Sequence, residues 1–377
     1  MNPKLPFNVR PTFAEIDLAA IRHNLQAIKQ RVAPAKVMAV LKANAYGHGL
    51  KAAAETALGC QVDCFGVALV EEGIKLREYK FTNPVLVFGG FFDHQVEDFL
   101  RSDLEFTLFD KGNALVLSQK AKEFGKPARV HIKVDTGMGR VGVAWQEAVD
   151  FVQQVAELSH LELVGMYTHL ASSDERDKTY ANVQLQRLEQ VLSELTRKNI
   201  SIPIKHAANS GAVLDLPNSY FDMVRVGVSM YGYYPSLETF RSLALKPAMT
   251  IKSRVIYLKE VAKDAYISYN RTYQAPQKTT IATVPIGYGD GYNRRLSNRG
   301  EVLIRGRRFP VVGRVCMDQI MIDVGLDSGI QIDDEVVLLG RQGNEEITIY
   351  EMCEKLNTIP YEVTCWVSER VPRVYRN

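Results

Sequence analysis

The chain has 377 residues, 46% of them hydrophobic and 24% charged, with a formal net charge of +3. That length points to two domains or to one large barrel with an addition, and the composition excludes disorder, collagen-like repeats and low-complexity arrays. So small a positive surplus suggests no nucleic-acid or membrane-surface partner. No apolar run approaches the roughly 18 residues of a membrane helix, and the opening MNPKLPFNVRPTF has no signal-peptide core. Five cysteines without a CxxC pair suggest neither a disulfide framework nor a zinc site. A cytoplasmic chain with reduced thiols and no metal is expected.

From the N-terminus, Asp17 stands before Ile21, Leu25, Ile28 and Val32, an apolar stripe at helical spacing with Asp17 as its expected cap. Eight short apolar runs then alternate with helical stretches: 37–41, 65–69, 85–88, 104–109, 130–134, 163–167, 203–206 and 223–226. Most read as buried strands rather than alternating ones. Between them, 148–158 and 183–198 carry amphipathic stripes, the second through Leu185, Leu188, Val191, Leu192 and Leu195. Eight strands alternating with helices over about 230 residues is the pattern of a (β/α)8 barrel, with a doubly wound sheet as the rival.

After Lys246-Pro247 the helical period fades. Runs at 250–258, 280–285, 302–304, 310–315, 321–324 and 335–339 are short, β-branched and punctuated by Gly, Asn and Asp, so a mainly β second domain is expected. Only 348–356 reads as a helix there, with Thr348 as cap. The expected division is 12–246 and 247–377, with residues 1–11 packing on the second part. The basic clusters Arg294-Arg295 and Arg305–Arg308 read as solvated loops.

In a barrel, the C-terminal ends of the strands carry the chemistry. The first run ends at Lys42, and a lysine there reads either as a Schiff-base nucleophile activated by desolvation or as a side chain snorkelling at the rim. The sixth run ends at Tyr167-Thr168-His169, where His169 alone reads as a hydrogen-bonded core histidine. The seventh ends at His206-Ala207-Ala208-Asn209-Ser210-Gly211, either a phosphate cradle or an ordinary Asn-Ser-Gly turn. The eighth runs into Arg225-Val226-Gly227-Val228-Ser229, and barrels commonly hold a phosphate in the loops after strands seven and eight. Together these make a constellation stronger than any member. Gly137–Gly142 fits G-x-G-x-x-G, but it follows the fifth run, which carries Lys133 and Asp135, so a nicotinamide site is not favoured.

The motifs AVLKANAYGHG at 39–49, HIKVDTGMGRVG at 131–142, MYTHLASSDE at 166–175, HAANSG at 206–211, MVRVGVSMYG at 223–232, TVPIGYGDGYNR at 283–294, VVGRVCMDQIMIDV at 311–324 and IPYEV at 359–363 resemble, in the same order, those of the alanine racemases. These are pyridoxal-phosphate (PLP) enzymes of bacterial cell-wall metabolism. The resemblance covers nearly the whole chain. It implies a PLP-binding (β/α)8 TIM barrel followed by a mainly β domain, and interconversion of L- and D-alanine that supplies D-alanine for peptidoglycan. It also implies a homodimer whose active sites combine one subunit's barrel with the other's C-terminal domain.

Carried over to this sequence, the resemblance makes Lys42 the Schiff-base lysine and Tyr269, from the partner subunit, the second catalytic base. The phosphate would be held by Tyr46, Ser210, the backbone at Gly227 and Val228, and Tyr361. His169 would pack against the cofactor region with Asn209 beside it, and Arg225 would face the pyridine nitrogen with His206 behind. Arg140 would help hold the substrate carboxylate, which Met317 would complete, with Cys316 and Asp318 adjacent. Tyr288 and Tyr361 would narrow the entrance, favouring a small substrate. Lys133 matches a lysine that is often carbamylated in the family. An arginine can only donate, so Arg225 favours an unprotonated pyridine and a weaker electron sink than a carboxylate partner would.

Two departures lie near the entrance. Asn270 follows the tyrosine where the family usually has Gly, and Gly289 stands where it often has Ala. Asn tolerates left-handed backbone better than most residues, so the turn is expected to survive. Rival readings are a PLP racemase for serine, lysine or another amino acid, a decarboxylase of the same fold type, and a non-catalytic PLP carrier. Residues 247–377 argue against the carrier.

Overall fold

The computed structural model describes residues 10–377. Its contacts divide these residues into two units, one formed by Ala20–Lys246 and the other by 10–19 together with Pro247–Asn377.

In the first unit all eight expected runs are strands: Lys36–Val40, Cys64–Val67, Val85–Val87, Phe106–Leu108, Ala128–Asp135, Leu161–Tyr167, Ile204–His206 and Met223–Val226. They are called the first to eighth barrel strands below. The eighth, first, second and third pair in parallel, as do the fourth to seventh. The two arcs join into a ring. Between the third and fourth strands, Val87 N–H donates to Glu105 O and Glu105 N–H to Val85 O. Between the seventh and eighth, Asp222 N–H donates to Lys205 O and Arg225 N–H to Ala208 O. Inside, Met38, Cys64, Leu86, Tyr167 and Met223 form one buried layer drawn from five strands. This filled interior is a packed core rather than a pore. Outside, helix Leu18–Val32 buries Ile21, Leu25, Ile28 and Val32, the residues whose spacing predicts it. Each such burial contributes about 1.5–3 kcal/mol. Helix Thr179–Arg197 buries Leu185, Leu188, Val191 and Leu195 in the same way.

The second unit is mainly β. One sheet runs, in order, through Arg307–Pro310, Glu301–Ile304, Glu335–Gln342, Met249–Arg254, Phe13–Asp17 and Arg373–Arg376. A three-stranded antiparallel sheet is built from Tyr257–Val261, Thr279–Val284 and Ile320–Asp323. Phe13–Asp17 pairs antiparallel with Met249–Arg254 and parallel with Arg373–Arg376, so residues 12–19, expected to open the barrel, belong instead to the β unit. Arg10 and Thr12 bond within that unit as well, Arg10 to Asp290 and Thr12 to Ser253. Residues 1–9, also expected to pack there, lie outside the described residues.

Three expectations for this unit change. The run 250–258 is two strands, broken at Val255-Ile256. The run 310–315 is largely not a strand: pairing ends at Pro310, with a lone bridge from Val311 to Ile322. Gly313 turns the chain there at φ 73°, and a Cβ on it would fall 2.7 Å from Ile267 O. The Arg305–Arg308 cluster is no solvated loop but a hairpin turn and strand tied by ion pairs. Arg305 meets Asp334 at 2.9 Å, and Arg308 meets Glu345 and Glu351 at 2.9 Å each. Helix Ile349–Leu356 is capped by the Thr348 hydroxyl, which accepts from Glu351 N–H. A second helix, Pro360–Cys365, opens on a proline whose fixed φ suits that position.

Candidate functional site

Directly after the first barrel strand, the chain enters a left-handed turn. Ala43, Asn44, Ala45 and Tyr46 have φ of 53°, 52°, 55° and 53°, a region that costs L-residues about 1–2 kcal/mol each. Such strain persists only where the surroundings over-determine it. Here Ala45 N–H donates to Leu41 O, Leu50 N–H to the Asn44 side chain, and Ala43 N–H to the Glu72 carboxylate at 2.6 Å. Glu72 also accepts from Ala68 and Leu69 N–H after the second strand. The turn places Lys42 half-buried at the barrel mouth and buries the Tyr46 ring.

Across the mouth, the turns after the seventh and eighth strands are tied together. The Ser210 hydroxyl accepts from Gly227 N–H at 3.0 Å and from Ser229 N–H at 3.3 Å. Asn209 caps the short helix Ser210–Asp215 by accepting from Ala212 N–H, and it also accepts from the Ser173 hydroxyl. Val228, buried, begins the turn that follows Gly227. Tyr46 reaches this place too: a Cβ on Gly227 would lie 2.5 Å from the Tyr46 hydroxyl. Small residues and donor groups thus surround one spot, the arrangement a phosphate needs.

Arg225, on the eighth strand, is buried. Its Nη2 donates to Thr168 O at 2.8 Å and Ala207 O at 3.0 Å and lies 3.3 Å from His169 Nδ1, while Nη1 lies 3.0 Å from His206 Nδ1. Burial and the Arg225 charge hold both histidines well below the usual imidazole range. Tyr167 offers its ring face to two cations, the Arg225 guanidinium at 5.2 Å and Lys133 Nζ at 5.6 Å. Burial, helped by the charges of Arg140 and Arg225, lowers the Lys133 amine to about 8. Lys133 is therefore far closer to its neutral, nucleophilic form than a surface lysine. The loop after the fifth strand is gathered by Asp135, whose carboxylate accepts from Gly137, Met138 and Gly139 N–H and so presents Arg140 at the surface.

The remaining expected residues lie in the β unit. Tyr269 is exposed at the tip of the hairpin formed by Tyr266–Ile267 and Tyr273–Gln274. Beside it is a cleft of about 370 Å³ lined by Tyr257, Tyr266, Cys316 and Met321 among others. Asn270 takes the left-handed conformation at φ 58°, so the turn does accommodate Asn. Tyr288 N–H donates to Cys316 O and Gly289 N–H to Met317 O, placing Tyr288, Cys316, Met317 and Asp318 together. A methyl on Gly289 would run into the Arg370 guanidinium, which pairs with Asp318 at 2.5 Å. Tyr361 sits on helix Pro360–Cys365.

Sequence reasoning brought together the barrel residues but missed their supports: Glu72, Asp135, Tyr167, Glu105 and His131. Asp135 had a local signal, an Asp two residues before Gly, the pattern of an Asx turn. Glu72 had only a weak one, because it follows Leu69 at capping-box spacing and Leu offers no hydroxyl.

Comparison with known proteins covers both units. Residues 16–235 match the model of the alanine racemase N-terminal domain, and residues 248–375 that of the C-terminal domain. An alanine racemase of Halothermothrix orenii is 46% identical over 98% of this chain and 97% of its own. The solved alanine racemase of Clostridium difficile superposes with a TM-score of 0.93 at 40% identity, covering 98% of this chain and 97% of that one. A histidine racemase from Leuconostoc mesenteroides shares the fold with a TM-score of 0.91 at 27% identity over the full length of both chains. A barrel mouth of this construction and two family domains that together span nearly the whole sequence place the chain in the alanine racemase family.

Proposed function

We propose that this protein interconverts L- and D-alanine with bound pyridoxal phosphate, as a cytoplasmic homodimer that supplies D-alanine for peptidoglycan. The observation that carries this reading is the convergence at one barrel mouth of Lys42, the Tyr46–Ser210–Gly227 cradle and the buried Arg225. The residues fit the cofactor: a cradle that a single methyl would fill, an amine at the rim and a buried guanidinium.

When bound, pyridoxal phosphate supplies an electron-withdrawing ring that stabilises charge at the substrate α-carbon. Ser210, Tyr46 and the backbone at Gly227 and Val228 hold the phosphate, with Tyr361 as a further ligand. Arg225 would serve the pyridine nitrogen as a donor, with His169 and Asn209 beside the ring. Racemisation requires a proton to leave one face of the α-carbon and another to arrive on the opposite face. Lys42 Nζ holds the proton on one side, and the phenol of Tyr269 from a second copy holds it on the other. The Arg140 cation would stabilise negative charge on that phenol oxygen. Arg140 and the backbone at Met317 bind the substrate carboxylate, with Cys316 and Asp318 adjoining. Tyr288 and Tyr361 restrict the side chain, and a carbamate on Lys133 positions Arg140.

The test is formation of the D-isomer from a panel of L-amino acids. Alanine should have the highest kcat/KM. Preference for serine, lysine or histidine would replace alanine within the racemase reading. Carbon dioxide release, or cofactor binding without turnover, would overturn that reading in favour of a decarboxylase or a carrier.

A further inference from the structure

Behind Arg225 runs a chain of buried polar groups that reaches the far side of the barrel interior. Arg225 Nη1 lies 3.0 Å from His206 Nδ1, His206 Nε2 lies 3.0 Å from His131 Nδ1, and His131 Nε2 lies 3.1 Å from Glu105 Oε2. All four residues are at most 5% exposed. The direction of the chain is forced. A guanidinium only donates, so His206 Nδ1 accepts. A neutral His206 then carries its proton on Nε2 and donates to His131 Nδ1. His131 must in turn carry its proton on Nε2, where the Glu105 carboxylate accepts it. Reversing any link would set two donors or two acceptors face to face among buried groups, at about 1–3 kcal/mol per unpaired group. Among the described residues Arg225 pairs directly with no carboxylate. Glu105 is the acid that the chain connects to it, and its other oxygen lies 3.6 Å from Arg129.

We propose that Glu105 and His131 are positioning residues for the pyridine-facing arginine. Arg225 fixes the chain from one end and they fix it from the other: Glu105 holds His131 in the tautomer that accepts from His206, and the pair extends carboxylate character through two imidazoles to a buried cation. The inference rests on the reading of Arg225 given above. Its chemistry is that of an outer carboxylate–imidazole pair orienting an inner group, a type of partner whose removal costs about 10–100-fold in metal sites.

Glu105→Gln and Glu105→Leu separate the possibilities. The glutamine carbonyl can still accept from His131. A flipped amide would donate instead and drive His206 Nδ1–H against Arg225, so the carbonyl orientation is preferred. The full-length protein as purified, labelled with 15N-histidine and assigned by single substitutions, is examined by imidazole NMR. Wild type and Glu105→Gln should both show His131 and His206 neutral and protonated on Nε2. Glu105→Leu, checked for folding by circular dichroism, should show mixed tautomers at His131 and shifted His206 resonances. With pyridoxal phosphate added, Glu105→Gln should shift the visible absorption and lower kcat about tenfold with little change in KM. A wild-type His206 protonated on Nδ1, or a Glu105→Leu protein with unchanged His206 resonances, would overturn the proposal. A wild-type protein that fails to take up pyridoxal phosphate would instead sink the functional reading and leave the tautomer result standing.

Discussion

Gly227 and the Tyr46 hydroxyl occupy complementary space: the missing side chain of the first makes the room that the second fills, with 2.5 Å between the hydroxyl and where a Cβ would sit. Gly227→Ala should push the Tyr46 ring aside, lower stability by about 1–3 kcal/mol as overpacking does, and weaken pyridoxal phosphate binding at least tenfold. Fluorescence titration of the cofactor measures the second effect, and affinity equal to wild type would show that the cradle does not hold the phosphate.

The left-handed turn after Lys42 depends on Glu72, which accepts from Ala43, Ala68 and Leu69 N–H. Glu72→Ala leaves these donors without their acceptor, a loss of about 1–3 kcal/mol. Amide exchange at Ala43 and Ala68 should quicken, and the yield of cofactor trapped by reduction at Lys42 should fall. If exchange at Ala43 is unchanged, the turn holds its strained shape by other means.

Lys133 gives a pH signature. Folding lowers its amine from 10.5 to about 8, so between those values the unfolded chain binds more protons than the folded one. Stability from this group is fully present above 10.5 and is lost as pH falls toward 8. In carbon-dioxide-free buffer, the stability of wild type relative to Lys133→Met should therefore rise by up to about 3 kcal/mol from pH 8 to 10.5. Parallel urea-unfolding curves for the two proteins across that range would contradict the shift.

The barrel was legible because its strands are buried on both faces and stand out as apolar runs, with the site residues at their ends. Tyr269 was legible only through the family motif, since a lone exposed tyrosine carries no local signal. The boundary at residue 12 was misplaced because Phe13–Asp17 reads like any buried strand. Its partners, Met249–Arg254 and Arg373–Arg376, lie more than 230 residues away, and no local pattern encodes such pairing. The chain from Arg225 to Glu105 was hidden for the same reason. The eighth, seventh and fifth barrel strands and the residue before the fourth bring its members together, and each alone looks like an ordinary polar residue in a core.

Lys42 should carry the cofactor, and borohydride reduction of the pyridoxal-phosphate-loaded protein followed by peptide mapping reads this out at the residue itself. A single pyridoxyl label on Lys42 is expected. A label on Lys133 or any other lysine, or none on cofactor-saturated protein, would contradict it.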